Sequence, residues 1–206
     1  HFILRSLELA RQAPSGDIIS ELLDTIRETT DAQALVQEWA GTIPTLYEVV
    51  QHAEQRSGAV FSFACRAGAR LASADRPILT SLGRYGFHAG VAWQLAEELA
   101  VVEQLSEDSR NAIMDFAARG QPLYSLSWAA QSENRLQELW TRLQKEEDPE
   151  LATEILEILQ RTSAISETRQ QIALSSWSAQ QALKILPRSA YKEALSEVAH
   201  SISRAS

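Results

Sequence analysis

Residues 76–103, RPILTSLGRYGFHAGVAWQLAEELAVVE, constrain this chain more than any other stretch. They read as one long helix. Pro77 suits a first helical turn, where its missing N–H removes no hydrogen bond. Leu82, Gly86, Ala89, Trp93 and Ala100 fall at helical spacing and share a face. Phe87, Gly90, Gln94, Glu97, Glu98 and Val101 form a second stripe beside it. That stripe sets two carboxylates and an amide within about one and a half turns. Glycine inside a helix costs roughly 1 kcal/mol against alanine. Gly83, Gly86 and Gly90 therefore imply a packing reason: a neighbouring helix, or a long apolar ligand, comes close there.

The remainder of the sequence is helical in period, and no stretch alternates as a strand does. Phe2, Leu4, Leu7 and Leu9 open a first helix, which Pro14-Ser-Gly ends. Asp17 is placed to cap a second helix through Ile18, Leu22 and Ile26 as far as Trp39. Gly41-Thr-Ile-Pro is a break. Further helices are expected over 45–55, 56–72, 107–116, 122–128, 133–144, 149–160, 165–186 and 187–202, with Asp148 as a cap before Pro149. The expectation is an all-α bundle of roughly eight to ten helices, one domain over 1–206. His1-Phe-Ile-Leu-Arg looks like the interior of a helix, so preceding helices are expected outside this sequence.

Composition narrows the function classes. A net charge of −8 argues against a general nucleic-acid binder. Cys65 is the only cysteine, so no internal disulfide forms, which suits a reducing cytoplasm. No apolar run approaches the roughly 18 residues of a membrane span.

The sharpest chemical feature is Glu97-Glu98. Carboxylates at i, i+1 and i+4 of a helix can share a Mg²⁺ that also holds a diphosphate, because hard cations take oxygen ligands. The i+4 position here is Val101, and two adjacent glutamates are equally an ordinary solvated pair. Arg56 and Ser57, read as a helix start, can hold a phosphate through guanidinium, hydroxyl and free N–H groups; a surface arginine beside a capping serine is the plain alternative. Arg119-Gly-Gln-Pro is a turn that can lie over a polar ligand. His52, His88 and His200 have no neighbour at metal-ligand spacing and read as structural or surface residues. Trp39, Trp128, Trp140 and Trp177 read as buried or half-buried packing.

Three ordered segments carry a resemblance. Arg56-Ser-Gly-Ala-Val-Phe, Gly86-Phe-His-Ala-Gly-Val-Ala-Trp-Gln-Leu-Ala-Glu-Glu and Asp115-Phe-Ala-Ala-Arg-Gly-Gln-Pro-Leu-Tyr-Ser-Leu resemble, in order, the Lys-Thr-Gly segment, the second aspartate-rich motif with its preceding Phe-Gln, and the Gly-Lys-Pro segment of the trans-isoprenyl diphosphate synthases, the polyprenyl synthetase family. The likeness covers the C-terminal two-thirds of that family. It implies an isoprenoid-synthase-like helical bundle around a central cavity, with the N-terminal helices and the first aspartate-rich motif missing from this chain.

Carried over by position, the resemblance makes Arg56, Ser57, Trp93, Gln94 and Gln121 substrate-binding residues and Glu97 and Glu98 metal ligands, with Mg²⁺ as the cofactor if the protein is active. It also shows departures. Val101 has lost a carboxylate, and Gln121 stands where a diphosphate-binding lysine is expected. Each charge-assisted contact contributes about 1.5–3 kcal/mol, so two losses imply at least a hundredfold weaker diphosphate binding. The resemblance thus implies a degenerate protein of isoprenoid biosynthesis, weak or non-catalytic alone, paired as a homodimer or as the regulatory partner of a catalytic prenyl synthase. The alternatives are an active Mg²⁺-dependent prenyltransferase using isopentenyl diphosphate, its first motif lying elsewhere, and a class I terpene synthase.

Overall fold

The computed structural model describes residues 2–12 and 16–204, with backbone alone for Phe2 and Ile3. The expected stop at Pro14 and Ser15 lies outside the described residues. Eleven α-helices occur among the described residues, one more than the upper expectation, and no strand does. They are α1 (Phe2–Ala10), α2 (Gly16–Glu38), α3 (Leu46–Ala53), α4 (Ala59–Leu71), α5 (Arg76–Val102), α6 (Glu107–Ala118), α7 (Tyr124–Ala129), α8 (Arg135–Leu143), α9 (Pro149–Arg161), α10 (Ala164–Ala182) and α11 (Ala190–Arg204).

Helix α5 is the axis of the molecule, with its most extensive packing against α4 on one side and α10 on the other. It begins as its sequence dictates: Asp75 accepts a hydrogen bond from the Ile78 N–H at 3.0 Å, and Pro77 sits in the first turn. The neighbouring helix, not a ligand, accounts for its glycines. A Cβ on Gly86 would stand 2.3 Å from the Phe61 carbonyl oxygen, and one on Gly90 would stand 2.5 Å from that of Ser57. The backbone of residues 57–61, leading into and including the first turn of α4, takes the room that the missing side chains leave. The first stripe holds only in part: Gly86 and Ala89 are buried, but Trp93 is 42 % exposed and Ala100 is exposed.

The main core gathers the C-terminal half of α5 with α6 to α10. Leu95, Leu99, Ile113, Leu136, Trp140, Ile155 and Ile172 are all fully buried. A second cluster joins Tyr85 and Ala89 to Ala179, Leu183 and Ala199. There the Tyr85 hydroxyl donates to the Leu195 carbonyl at 2.8 Å, tying α5 to α11. The break after α2 is held from a distance. Gly41, at φ 79°, accepts from Gln137 Nε2 (2.9 Å) and Thr141 Oγ1 (2.7 Å) of α8, and its N–H donates to Gln144.

Three local expectations are corrected. Asp17 is not the cap of α2; it lies within the first turn and pairs with Arg70 of α4 at 3.3 Å, because a nearby guanidinium competes for its carboxylate. Trp177 is 60 % exposed, since none of the described elements covers its ring, whereas Trp39 and Trp140 are buried and Trp128 half-buried. The third correction concerns Arg56 and Ser57 and belongs to the site.

Candidate functional site

No helix starts at Arg56. Thr45 and Glu48 form a reciprocal cap that launches α3. The chain then runs without interruption through a π-helical turn, Glu54–Gly58, into α4, and the Ala59 N–H reaches back to the Glu54 carbonyl. The backbone N–H groups of Arg56 and Ser57 are therefore internal to a helix and are not free for a phosphate. What the wide turn does is aim Ser57 inward. Such π turns recur at functional sites because they re-aim one side chain without ending the helix.

From Ser57 a buried polar chain crosses three elements. The Ser57 hydroxyl donates to Gln94 Oε1 at 2.7 Å. Gln94 Nε2 donates to Glu98 Oε1 at 3.0 Å. Glu98 Oε2 accepts from the Tyr124 N–H at 3.4 Å. Ser57, Gln94 and Glu98 are 7 %, 6 % and 7 % exposed. Tyr124 explains the last link. It is the first residue of α7, whose own N-cap residue, Leu123, has no side chain able to accept. The first N–H groups of a helix lack intrahelical acceptors, and Glu98 supplies one from a different helix.

Burial pushes the Glu98 carboxyl up to about 7; the bonds from Gln94 and Tyr124 and the charge of Arg56 pull the other way without prevailing. Arg56 itself is exposed. His52, one turn earlier, is held down to about 4 by burial and then by the same Arg56. Both its ring nitrogens are buried without a hydrogen-bond partner, and its ring meets Trp39 edge-on at 5.7 Å.

The structure thus brings Arg56, Ser57, Gln94 and Glu98 together. Trp93 lies beside them and stacks on Phe61 at 5.7 Å, a half-exposed aromatic wall. Gln121 stands apart from the polar chain. It is buried in the turn after α6, where Gly120 has φ 64° and the Gln121 N–H closes on the Phe116 carbonyl at 2.9 Å.

Glu97 and Glu98 point apart in this structure. Glu97 is exposed and Glu98 is buried with both oxygens engaged, because successive helical residues point about 100° apart. Val101, on the face of Glu97, offers no oxygen. Among the described residues no group of three His, Cys, Asp or Glu is arranged to hold a metal ion. The donor set present does not fit a Mg²⁺ shared by Glu97 and Glu98. Sequence reasoning gave no role to Tyr124 or Phe61, and it left His52, which is buried, between a structural and a surface reading. Pro122, two residues before Tyr124, was the available signal, since it marks a helix start with unsatisfied donors.

The helical bundle, its glycine-lined axial helix and the Ser–Gln–Glu chain define an all-α isoprenoid-synthase fold. No family model and no curated protein matches the sequence. Solved structures do match in fold. A polyprenyl synthase from Caulobacter crescentus CB15, complexed with calcium and isoprenyl diphosphate, is 23 % identical, with a TM-score of 0.85 over 98 % of this chain and 63 % of its own. A decaprenyl diphosphate synthase from Rhodobacter capsulatus is 16 % identical, with a TM-score of 0.87 over 98 % and 63 %. A polyprenyl synthase from Roseobacter denitrificans is 20 % identical, with a TM-score of 0.83 over 97 % and 67 %. The chain therefore has the polyprenyl synthase fold and spans about two thirds of the length of these structures. Among the described residues no helix is long and apolar enough to cross a membrane.

Proposed function

We propose that this chain is an isoprenoid-diphosphate-synthase-like protein of isoprenoid biosynthesis, weak or non-catalytic by itself, that works as the regulatory partner of an active prenyl synthase subunit. The observation that carries this reading is the inward commitment of Glu98. A carboxyl held near neutral pH, buried and serving as the acceptor for α7, has become part of the scaffold. Glu97 then remains as a lone exposed carboxylate, and Val101 adds none. The residues that do persist, Arg56, Ser57, Gln94 and Trp93, suit recognition of an isoprenoid diphosphate better than its ionisation, which needs concentrated positive charge from metal.

The second reading, an active Mg²⁺-dependent prenyltransferase, draws on the same Ser57–Gln94 hydrogen bond and the nearby Arg56, which preserve a hydroxyl, an amide and a cation side by side. Isothermal titration with geranyl or farnesyl diphosphate, with and without Mg²⁺, followed by turnover assays with isopentenyl diphosphate, separates the two. The regulatory reading expects weak binding that Mg²⁺ barely alters, no turnover alone, and a change in rate or product length when the chain is added to an active prenyl synthase. Turnover by the isolated chain would overturn it.

A further inference from the structure

The other end of α5 carries a second feature. Its first turns, the end of α10 and the following 3₁₀ turn, Leu183–Ile185, enclose a depression of about 510 Å³. Arg76, Arg84 and Lys184 line it, together with the polar Thr80 and Gln181 and the apolar Pro77, Ala182 and Ile185. No carboxylate lines it. The Lys192 ammonium lies at the same turn, donating to the carbonyls of Lys184 (3.4 Å) and Leu186 (2.7 Å).

Such a gathering is out of character for this protein. Acidic residues outnumber basic ones by eight, so carboxylates are plentiful. Many arginines elsewhere in the described residues find them: Arg66 and Arg70 pair with Glu21, Arg135 with Glu154, and Arg169 with Glu103, although Arg56 and Arg110 stand singly. Among the described residues Arg76, Arg84 and Lys184 are in no ion pair, and they are the three cations gathered at one depression. Arg76 also sits in the first turn of a helix, where the backbone dipole disfavours a cation, and the adjacent Asp75 accepts from the Ile78 N–H through Oδ1. The positive field is felt next door. His88 is held below its ordinary value by burial and then by Arg84. Three uncompensated cations at one concavity repel one another unless an anion joins them.

We propose that this depression binds an organic phosphate, a phosphoryl or diphosphoryl group carried on an apolar body. Two guanidinium forks match the planar oxygen pairs of a phosphoryl group, and Lys184 adds a point charge. Thr80 and Gln181 supply neutral hydrogen bonds, and Pro77 and Ile185 receive the apolar part. Arg84 and Glu98 are fourteen residues apart on one helix, about 21 Å at 1.5 Å per residue. The depression and the Ser57–Gln94–Glu98 chain are therefore separate sites, and this inference stands whether or not the proposed function does.

The test is titration with octyl phosphate by calorimetry and, in parallel, sedimentation with phosphatidylcholine vesicles containing phosphatidic acid. Wild type is compared with R84A/K184A and with R56A, and thermal melts verify that all three fold. Binding of octyl phosphate that falls at least tenfold in R84A/K184A and is unchanged in R56A supports a soluble phosphate ester, one charge-assisted contact being worth about that factor. Binding to vesicles alone, again lost in R84A/K184A, supports the same chemistry with a lipid headgroup as its source. Equal binding by wild type and R84A/K184A, loss in R56A only, or no binding in either arm overturns the proposal.

Discussion

Glu98 of α5 and His52 of α3 are both buried and opposite in titration. Glu98 is held up to about 7 by burial against an ordinary 4.5, so the folded protein binds its proton more tightly than the unfolded chain does. Its contribution to stability is full below about 4.5 and is lost as pH rises through about 7. His52 is held down to about 4 against 6.5. Its contribution is full above about 6.5 and is lost as pH falls through about 4. Between 4.5 and 6.5 the two slopes oppose each other, each at about 1.4 kcal/mol per pH unit. Glu98→Gln removes one slope and His52→Phe the other. The stability difference between wild type and E98Q should therefore shift by about 1.4 kcal/mol per unit across pH 4.5–7, and that for H52F by as much in the opposite sense across pH 4–6.5. Urea melts across that range measure both, and profiles parallel to wild type would sink the assignment. At pH 7, H52F should also be neutral or stabilising by about 1 kcal/mol, because it removes two buried nitrogens that lack partners.

At the scale of elements, the α4–α5 contact rests on absent side chains, and it discriminates sharply between glycines. Gly86→Ala would push a Cβ into the Phe61 carbonyl, a backbone atom that cannot swing away. A loss of about 3 kcal/mol or more is expected, at the upper end of overpacking effects. Gly68, on the exposed side of α4, has nothing within 4 Å of the same added atom. Gly68→Ala should stabilise by about 0.5–1 kcal/mol through helix propensity alone. Equal effects of G86A and G68A in urea titrations would mean that the close approach is not what the glycines serve. This contact was legible in sequence because glycine inside a long helix has a cost that demands a cause. The helix over 76–103, with Pro77 in its first turn, and the cap at Asp148 were legible for the same reason, being local rules of propensity and hydrogen bonding. The π turn was not. A one-residue widening leaves no mark in apolar periodicity, so 45–55 and 56–72 read as two helices and Arg56 as a start. The partners of Glu98 were not legible either. Sequence spacing places a side chain around its own helix, but whether it meets water or the bare end of α7 depends on a contact 26 residues away.

For the whole molecule, the question is whether a bundle that keeps the fold of polyprenyl synthases keeps their use of diphosphate. The geometry of α5 identifies the missing part. Glu97 is exposed and Val101, four residues on, is half-buried at the edge of the main core, whereas Glu98 is buried. A two-carboxylate site for a hard cation is therefore one substitution away, at Val101 and not at Glu98. Gln121→Lys is the less useful repair, since Gln121 is buried and an added ammonium would be desolvated there. Val101→Asp, made in the protein together with any segment that naturally precedes it, should convert weak, Mg²⁺-indifferent binding of geranyl diphosphate into binding that Mg²⁺ strengthens about tenfold, the value of one charge-assisted contact. Glu97→Gln in the V101D background should abolish that gain, while E98Q should leave it, because Glu98 points away from the ion. The same titration on wild type carries the contrary outcome. If wild type already binds in a Mg²⁺-dependent way and E98Q removes that dependence, Glu98 turns outward when substrate arrives, and the regulatory reading gives way to an active prenyltransferase.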